Sequence, residues 1–353
     1  MRRNGNCGTV GALAVLILLL GNCAGAQTTL AKSADAAVGK YARDGSFWGV
    51  VLVARHGQVL YEKAYGTADL EWSIPNTIAA KFEIASLTKQ FTGMAIAQLA
   101  AAGKLKLDDP VGKYYPQAPK AWEKITIDEL LTHTSGLPNN ELKDFPKGIA
   151  VPYTPEELIA TFRDRPLNFP PGTGWKYTNT EYYLLAYIIE KVSGESYGDF
   201  LEHHIFQPLG MKDSGFAATN AVVGRLAEGY TREEGKLRHH DYFDRSLEIG
   251  AGGVHSTAHD LLLWDQALDS GKLVPRAYLD RIFAANNKGD YGYGWFVERK
   301  DGNTREWHEG SDPGYGAFLL RRPQEGLLVV VLANLENAPV RQIAQELEKL
   351  ALP

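Results

Sequence analysis

The chain has 353 residues, 44% of them hydrophobic, 22% charged and 10% aromatic. That is enough apolar material for a substantial core, or for two lobes sharing one, and excludes a disordered chain. A formal net charge of -5 supplies no basic stripe for a phosphate backbone, so neither nucleic acid nor a charge-bound membrane surface is an expected partner.

At the start, Arg2 and Arg3 precede an apolar run from Val10 to Leu20 and then the small residues Ala24-Gly25-Ala26. The order of positive, apolar and small predicts a signal peptide over residues 1–26, cut after Ala26, and an exported domain, periplasmic or secreted, over 27–353. The run is too short to cross a bilayer, so no transmembrane anchor is expected after processing. Leu20-Gly21-Asn22-Cys23 offers the alternative of a lipoprotein acylated at Cys23, with Asn22 standing where a small residue is wanted. Cys7 and Cys23 are the two cysteines. Both fall in the leader, which excludes a disulfide, a thiol nucleophile or a thiolate metal site from the mature domain.

Residues 27–353 show no repeat and no low-complexity break, and read as one unit. Trp48 to Ala54 and Gln58 to Ala64 flank a His56-Gly57 turn and predict a β-hairpin. Helical spacing or composition marks Ser86 to Ala102, Thr126 to Thr132, Pro155 to Phe162, Thr180 to Val192 and Ala258 to Leu268. Three more strands follow, Gly294 to Lys300, Tyr315 to Arg321 and Leu327 to Asn334, joined by turns at Asp301-Gly302-Asn303 and Pro323 to Gly326. The expected fold is α+β. An antiparallel sheet lobe from about 27–85 plus 286–353 would carry a mostly helical inserted lobe at about 86–285, with a cleft between them.

Three short segments could carry chemistry. In Ser86-Leu87-Thr88-Lys89, the alcohol and the amine sit three positions apart on one helix side, where a desolvated lysine could take the serine proton. The same spacing equally fits an ordinary N-cap followed by a solvated lysine. In Trp175-Lys176-Tyr177-Thr178-Asn179, before an apolar helix, Tyr177 and Asn179 project from one side of an extended loop, a phenol to relay a proton and an amide to hold a carbonyl and a lysine. Packing for Tyr177 and capping for Asn179 or Thr180 stay open beside that reading. In His308-Glu309-Gly310-Ser311, His308 offers a donor or cation to a substrate carboxylate, unless it is a strand histidine satisfied by a neighbour. Gly310 clears space for a substrate along the strand, and the Ser311 N–H joins that of Ser86 as an oxyanion donor.

Together, in this order, Ser86-x-x-Lys89, Tyr177-x-Asn179 and His308-x-Gly310 resemble the serine β-lactamases and D-alanyl-D-alanine peptidases. The similar branch is the one around class C β-lactamases, Streptomyces-type carboxypeptidases, D-aminopeptidases and related esterases. The segments Leu107-Asp108-Asp109-Pro110-Val111, Leu130 to Leu137, Pro208-Leu209-Gly210-Met211 and Gly252 to Thr257 resemble the family as well, so the likeness covers nearly all of the mature chain. The resemblance implies attack by Ser86, proton transfers shared by Lys89 and Tyr177, positioning by Asn179, and an oxyanion hole from the Ser86 and Ser311 amides. It implies no metal and no cofactor. True class C β-lactamases carry lysine where this chain has His308, which points away from efficient β-lactam hydrolysis, although D-Ala-D-Ala-type peptides, β-lactams and small esters all fit the same acylation chemistry on amide or ester bonds. The alternative is a relative that binds peptidoglycan fragments or penicillins without turnover.

Other patterns lack their context. Gly194-Glu195-Ser196-Tyr197-Gly198 spells a nucleophile elbow but follows a helix rather than a strand. His255 and His259 have zinc-ligand spacing without the acidic residue such a helix needs. His203-His204 and His239-His240 read as surface pairs, and His133 as a structural loop residue. Asn139 to Val151 and Tyr291 to Trp295 are the expected cleft walls.

Overall fold

The computed structural model describes residues 28–216, 220–286 and 288–352. The expected leader, its cleavage point and Cys23 lie outside the described residues. Six strands form one antiparallel sheet: β1 Gly49–Arg55, β2 Gln58–Tyr65, β3 Phe296–Lys300, β4 Asn303–Asp312, β5 Tyr315–Arg322 and β6 Leu327–Ala333, in the spatial order β3-β4-β5-β6-β1-β2. The first and last parts of the chain thus meet at the β1–β6 pair, from Gly49 opposite Ala333 to Arg55 opposite Leu327. His56 and Gly57 turn β1 into β2 with φ of 48° and 76°, and Asp301 and Gly302 turn β3 into β4 with 52° and 78°. Two successive left-handed residues match the twist of the strands they join.

The central strands are buried on both faces. Val50, Leu52 and Ala54 enter one core while Val51 and Val53 enter another, and β6 divides likewise, with Leu328, Val330 and Leu332 against Val329, Val331 and Ala333. Two helices cover the outer face. Helix α1 (28–43) contributes Ala34, Val38 and Tyr41. Helices α2 Thr88–Ala101 and α3 Thr180–Ser193 pack on each other within the inner core, α4 Ala258–Ser270 packs in the same core on the inner face against β1 and β6, and α5 Val340–Ala351 returns to the outer face with Ile343, Ala344 and Leu347. Helix α4 is pinned to the sheet by the buried Arg321, which pairs with Asp265 at 2.8 Å and Asp269 at 2.7 Å on the helix and with Glu306 at 3.1 Å on β4.

The α+β class and the sheet built from both chain ends are as expected. The two outer helices were not anticipated, since the flanks of the chain read as strands. The inserted region also contains short sheets: Val254–Ser256 pairs with Phe82–Glu83 and with Gly215–Phe216, and Tyr230–Glu233 pairs with Lys236–His239. Strands of two to four residues are too short to display an alternating period.

Candidate functional site

Ser86 sits in a 3-10 turn, Ala85–Leu87, that leads into α2. Ala85 has φ of 47°, a left-handed conformation that a residue with a Cβ adopts at a cost, of the kind that clusters at functional turns. Neither half of the ordinary capping alternative holds. The N-cap of α2 is Leu87, with no side-chain cap, and Lys89 is fully buried. Helix α2 is enclosed on nearly every side, and that enclosure carries the lysine into the interior. There its Nζ lies 3.1 Å from Ser86 Oγ, 2.9 Å from Asn179 Oδ1 and 2.9 Å from the Ala251 carbonyl oxygen. Two of these neighbours can only accept. A neutral amine has two N–H bonds for them and one lone pair, which is left for the Ser86 hydroxyl. Burial pulls the Lys89 pKa from 10.5 down to about 7, against the opposing pull of Glu248, Asp312 and Glu181.

The loop before α3 brings the second group. The Lys89 ammonium position lies 4.8 Å from the centre of the Tyr177 ring. The Tyr177 hydroxyl is buried without a hydrogen-bonding partner, close enough to Ser86 for the serine to offset part of the strong upward pKa shift that burial imposes. Asn179 holds the N-cap position of α3 but makes no side-chain cap; its amide oxygen is spent on Lys89, and its backbone N–H donates to Asn139 Oδ1 at 3.0 Å. The loop is anchored from below by Glu181, whose buried carboxyl meets His133 Nδ1, Ser135 Oγ and, at 2.8 Å, Thr178 Oγ1. Burial raises Glu181 to about 8 and pushes His133 well below 6.5. The pair is therefore a neutral acid and a neutral imidazole, and the His133 ring packs 4.5 Å from that of Tyr177.

Strand β4 supplies the third group. Its pairing with β3 ends at Phe296 opposite Trp307, so the outer edge of β4 from His308 to Asp312 is not covered by β3. The space freed by Gly310 is filled by the nucleophile turn and not by substrate: a Cβ there would collide with the Ile84 carbonyl oxygen and lie 3.1 Å from Ser86 N. This close approach sets Ser86 N beside the exposed Ser311. His308 is 1% exposed. Its Nδ1 is 2.7 Å from the Glu309 carbonyl oxygen, an acceptor, so Nδ1 bears the proton and Nε2 accepts from the Tyr291 hydroxyl at 2.8 Å. Burial, then the nearby Lys89, hold the His308 pKa well below 6.5. Of the two readings of His308, a donor or cation facing a substrate carboxylate and a strand histidine satisfied by a neighbour, these contacts fit the second, with the ring neutral.

Tyr291 to Trp295 are likewise floor rather than wall, with Tyr291, Tyr293 and Trp295 all buried and Gly294 pressed against the Lys89 backbone. Asn139 does reach the site, through Asn179. Sequence reasoning missed the Ala251 carbonyl as a lysine acceptor, and missed Glu248 and Asp312 as charges acting on Lys89. Ser196 is exposed and caps Tyr197–Leu201 by accepting from Asp199 N, remote in role from the other groups. His203 and His204 both contact Glu195 at the surface. Among the described residues no helix is long and apolar enough to cross a membrane.

Known proteins share this arrangement of chain. Residues 31–352 match the family described as Beta-lactamase. A protein of Bacillus subtilis named as a penicillin-binding protein, PbpX, is 32% identical over 314 residues, covering 89% of this chain and 77% of its own. Among solved structures, a penicillin-binding protein from Bacillus halodurans superposes with a TM-score of 0.77 at 29% identity, over 87% of this chain and 97% of that one. A D-amino acid amidase from Ochrobactrum anthropi SV3 gives 0.79 at 25% identity, over 91% and 98%.

Proposed function

The chain belongs to the β-lactamase family, and from that premise we propose that it is a serine hydrolase that cleaves amide or ester bonds through an acyl-serine intermediate on Ser86. The observation that carries this reading is the buried amine of Lys89, 3.1 Å from the Ser86 hydroxyl, with its N–H bonds committed elsewhere. Ser86 Oγ attacks the carbonyl carbon as its proton passes to Lys89 Nζ. The negative charge that develops on the carbonyl oxygen is held by the Ser86 and Ser311 N–H groups. Burial drives Lys89 down and Tyr177 up, which separates their roles: Lys89 is the base, and Tyr177 remains a phenol that hands a proton to the departing amine or alcohol. The bond to the leaving group breaks as that proton arrives. Water then attacks the acyl-serine, its proton restoring the Tyr177 phenol while the Lys89 ammonium returns the earlier proton to Ser86 Oγ, so that Ser86 is released with the carboxylic acid product and both groups regain their starting states.

A neutral His308 does not reproduce the cation of a β-lactamase cleft, which favours esters and amides over β-lactams as substrates. Penicillin is expected to acylate Ser86 and leave slowly. The test is covalent labelling of the intact protein by a fluorophosphonate or a fluorescent penicillin. Mass spectrometry should show one adduct, absent in Ser86→Ala and retained in Ser196→Ala. An unlabelled wild type, or an adduct that survives in Ser86→Ala, defeats the proposal. The positive, apolar and small-residue order of residues 1–26 supports the further proposal that this enzyme is exported.

A further inference from the structure

We propose that Thr92 and Tyr197 are positioning residues for Lys89: their buried hydroxyls, joined in a chain that ends on the Gly250 carbonyl oxygen, fix the backbone that turns the lysine amine toward Ser86. The inference rests on the acyl-serine reading above and extends its machinery to Tyr197, the neighbour of the exposed Ser196.

The backbone in question is the segment 250–254, buried throughout and lying between α2 and α3. Gly250 has a φ of 75°, and a Cβ there would stand 2.3 Å from the Tyr182 carbonyl oxygen of α3. Thr88, Lys89 and Thr92 share one side of α2, because residues three and four apart on a helix are neighbours. Consecutive carbonyls of the segment accept from that side in turn. Gly250 O accepts from Thr92 Oγ1 at 2.7 Å, Ala251 O from Lys89 Nζ at 2.9 Å, and Gly252 O from Thr88 Oγ1. The Val254 N–H donates back to Thr88 Oγ1 at 3.2 Å. The lysine is the middle rung of this ladder, and its acceptor is placed by the rungs on either side.

Tyr197 is fully buried, and its hydroxyl lies 2.7 Å from Thr92 Oγ1. A threonine hydroxyl has one proton, and a carbonyl can only accept. Thr92 therefore donates to Gly250, and the Tyr197 O–H donates to Thr92. Without that donor the Thr92 hydroxyl can turn back to its own helix, where the Thr88 carbonyl oxygen lies 3.5 Å away. Tyr197 is itself held in place: its backbone N–H donates to Glu190 Oε1 at 2.9 Å, and its ring meets Phe216 edge-on at 5.2 Å.

The consequence for catalysis lies in one bond rotation. A neutral amine turns about Cε–Nζ, and its lone pair faces Ser86 only while its N–H bonds are taken by Asn179 Oδ1 and Ala251 O. If the Gly250 end of the segment slips, Ala251 moves with it and the amine loses that orientation. Proton transfer then slows, while substrate binding is unchanged because Thr92 and Tyr197 are both fully buried.

The measurement is stopped-flow acylation by p-nitrophenyl acetate, resolved by its concentration dependence into an acylation rate constant and a binding constant, per site titrated with fluorophosphonate. Thr92→Val should lower the acylation rate constant by roughly tenfold or more and Tyr197→Phe by severalfold, with the binding constant unchanged in both. Thr92→Ser keeps the hydroxyl and should act close to wild type. Ile343→Ala, buried on the outer face of the sheet, controls for lost stability and should acylate at the wild-type rate per titrated site. A wild-type rate constant in Thr92→Val or in Tyr197→Phe overturns the proposal, and so does a loss confined to the binding constant. Thr92→Ser as slow as Thr92→Val, or Ile343→Ala slowed as much as either, overturns it too. Should Thr92→Val fail to fold, Tyr197→Phe carries the decision alone. A wild type that neither labels nor acylates defeats the hydrolase reading itself, whereas one that acylates and is matched by the variants defeats this inference only.

Discussion

Lys89 shows how one residue ties stability to activity. Its amine titrates near 10.5 in the unfolded chain and near 7 when folded, so between these values the unfolded state binds the extra proton and stability rises with pH. Catalysis needs the neutral form. The rate of Ser86 acylation should therefore climb as pH passes through about 7, in stopped-flow measurements with a p-nitrophenyl ester. Lys89→Ala should cost roughly 10² to 10⁴ in kcat/KM and flatten that rise. Gly310 is the second residue on which the site depends. Its missing side chain lets β4 touch the nucleophile turn, and Gly310→Ala should destabilise the fold by about 1–3 kcal/mol while slowing labelling of Ser86, read by thermal denaturation and adduct formation. The spacing put Ser86 and Lys89 on one helix side but fitted an N-cap and a solvated lysine equally well, and the burial of Lys89 decided between the two. The neutral state of His308 was not legible in the sequence, because it depends on Tyr291 and on burial contributed by distant segments.

The element that matters most is the loop ahead of α3. Tyr177 and Asn179 are aimed by what happens beneath them, where Glu181 gathers His133, Ser135 and Thr178. Glu181 ionises near 4.5 when unfolded and about 8 when folded. Across that window the folded state holds the extra proton, so this group's contribution to stability falls as pH rises. Glu181→Gln keeps a neutral hydrogen-bonding group and should remove that dependence in denaturant midpoints measured from pH 5 to 8. Glu181→Ala leaves buried donors unpaired and should cost about 1–3 kcal/mol. His133 was read from sequence as a structural loop residue, and its buried place under Tyr177 fits that reading. Its partner Glu181 gave no signal of its own, since an acid in the first turn of a helix ordinarily faces solvent and the helix dipole.

At the scale of the molecule, both faces of the sheet must be covered for either to persist. Helices α1 and α5, from opposite ends of the chain, close the outer face. Ile343→Ala, far from Ser86, should lose about 2–5 kcal/mol of stability. Because β1 and β6 join the chain ends in one sheet, its unfolding should remain a single transition when followed by both far-ultraviolet circular dichroism and tryptophan fluorescence. N-terminal sequencing of exported protein should begin at Gln27, while lipidation would retain Cys23.

By itself the sequence determined the α+β class, the hairpin turns and the order of the three short motifs, because these depend on local preference and on residue identity. Two left-handed turn residues or an apolar helix need no distant partner to be recognised, whereas an alcohol three places before an amine was set apart from an ordinary capped helix only by the two motifs that follow it. What only the tertiary structure decided is the ionisation and orientation of those groups: that Lys89 is enclosed, that His308 is satisfied, that Gly310 makes room for the nucleophile turn, and that Glu248 and Asp312 lie near enough to act on Lys89. The reason is physical. Desolvation and charge coupling act over short distances in space, whereas the residues that supply them lie as far apart along the chain as Lys89 and Asp312 do.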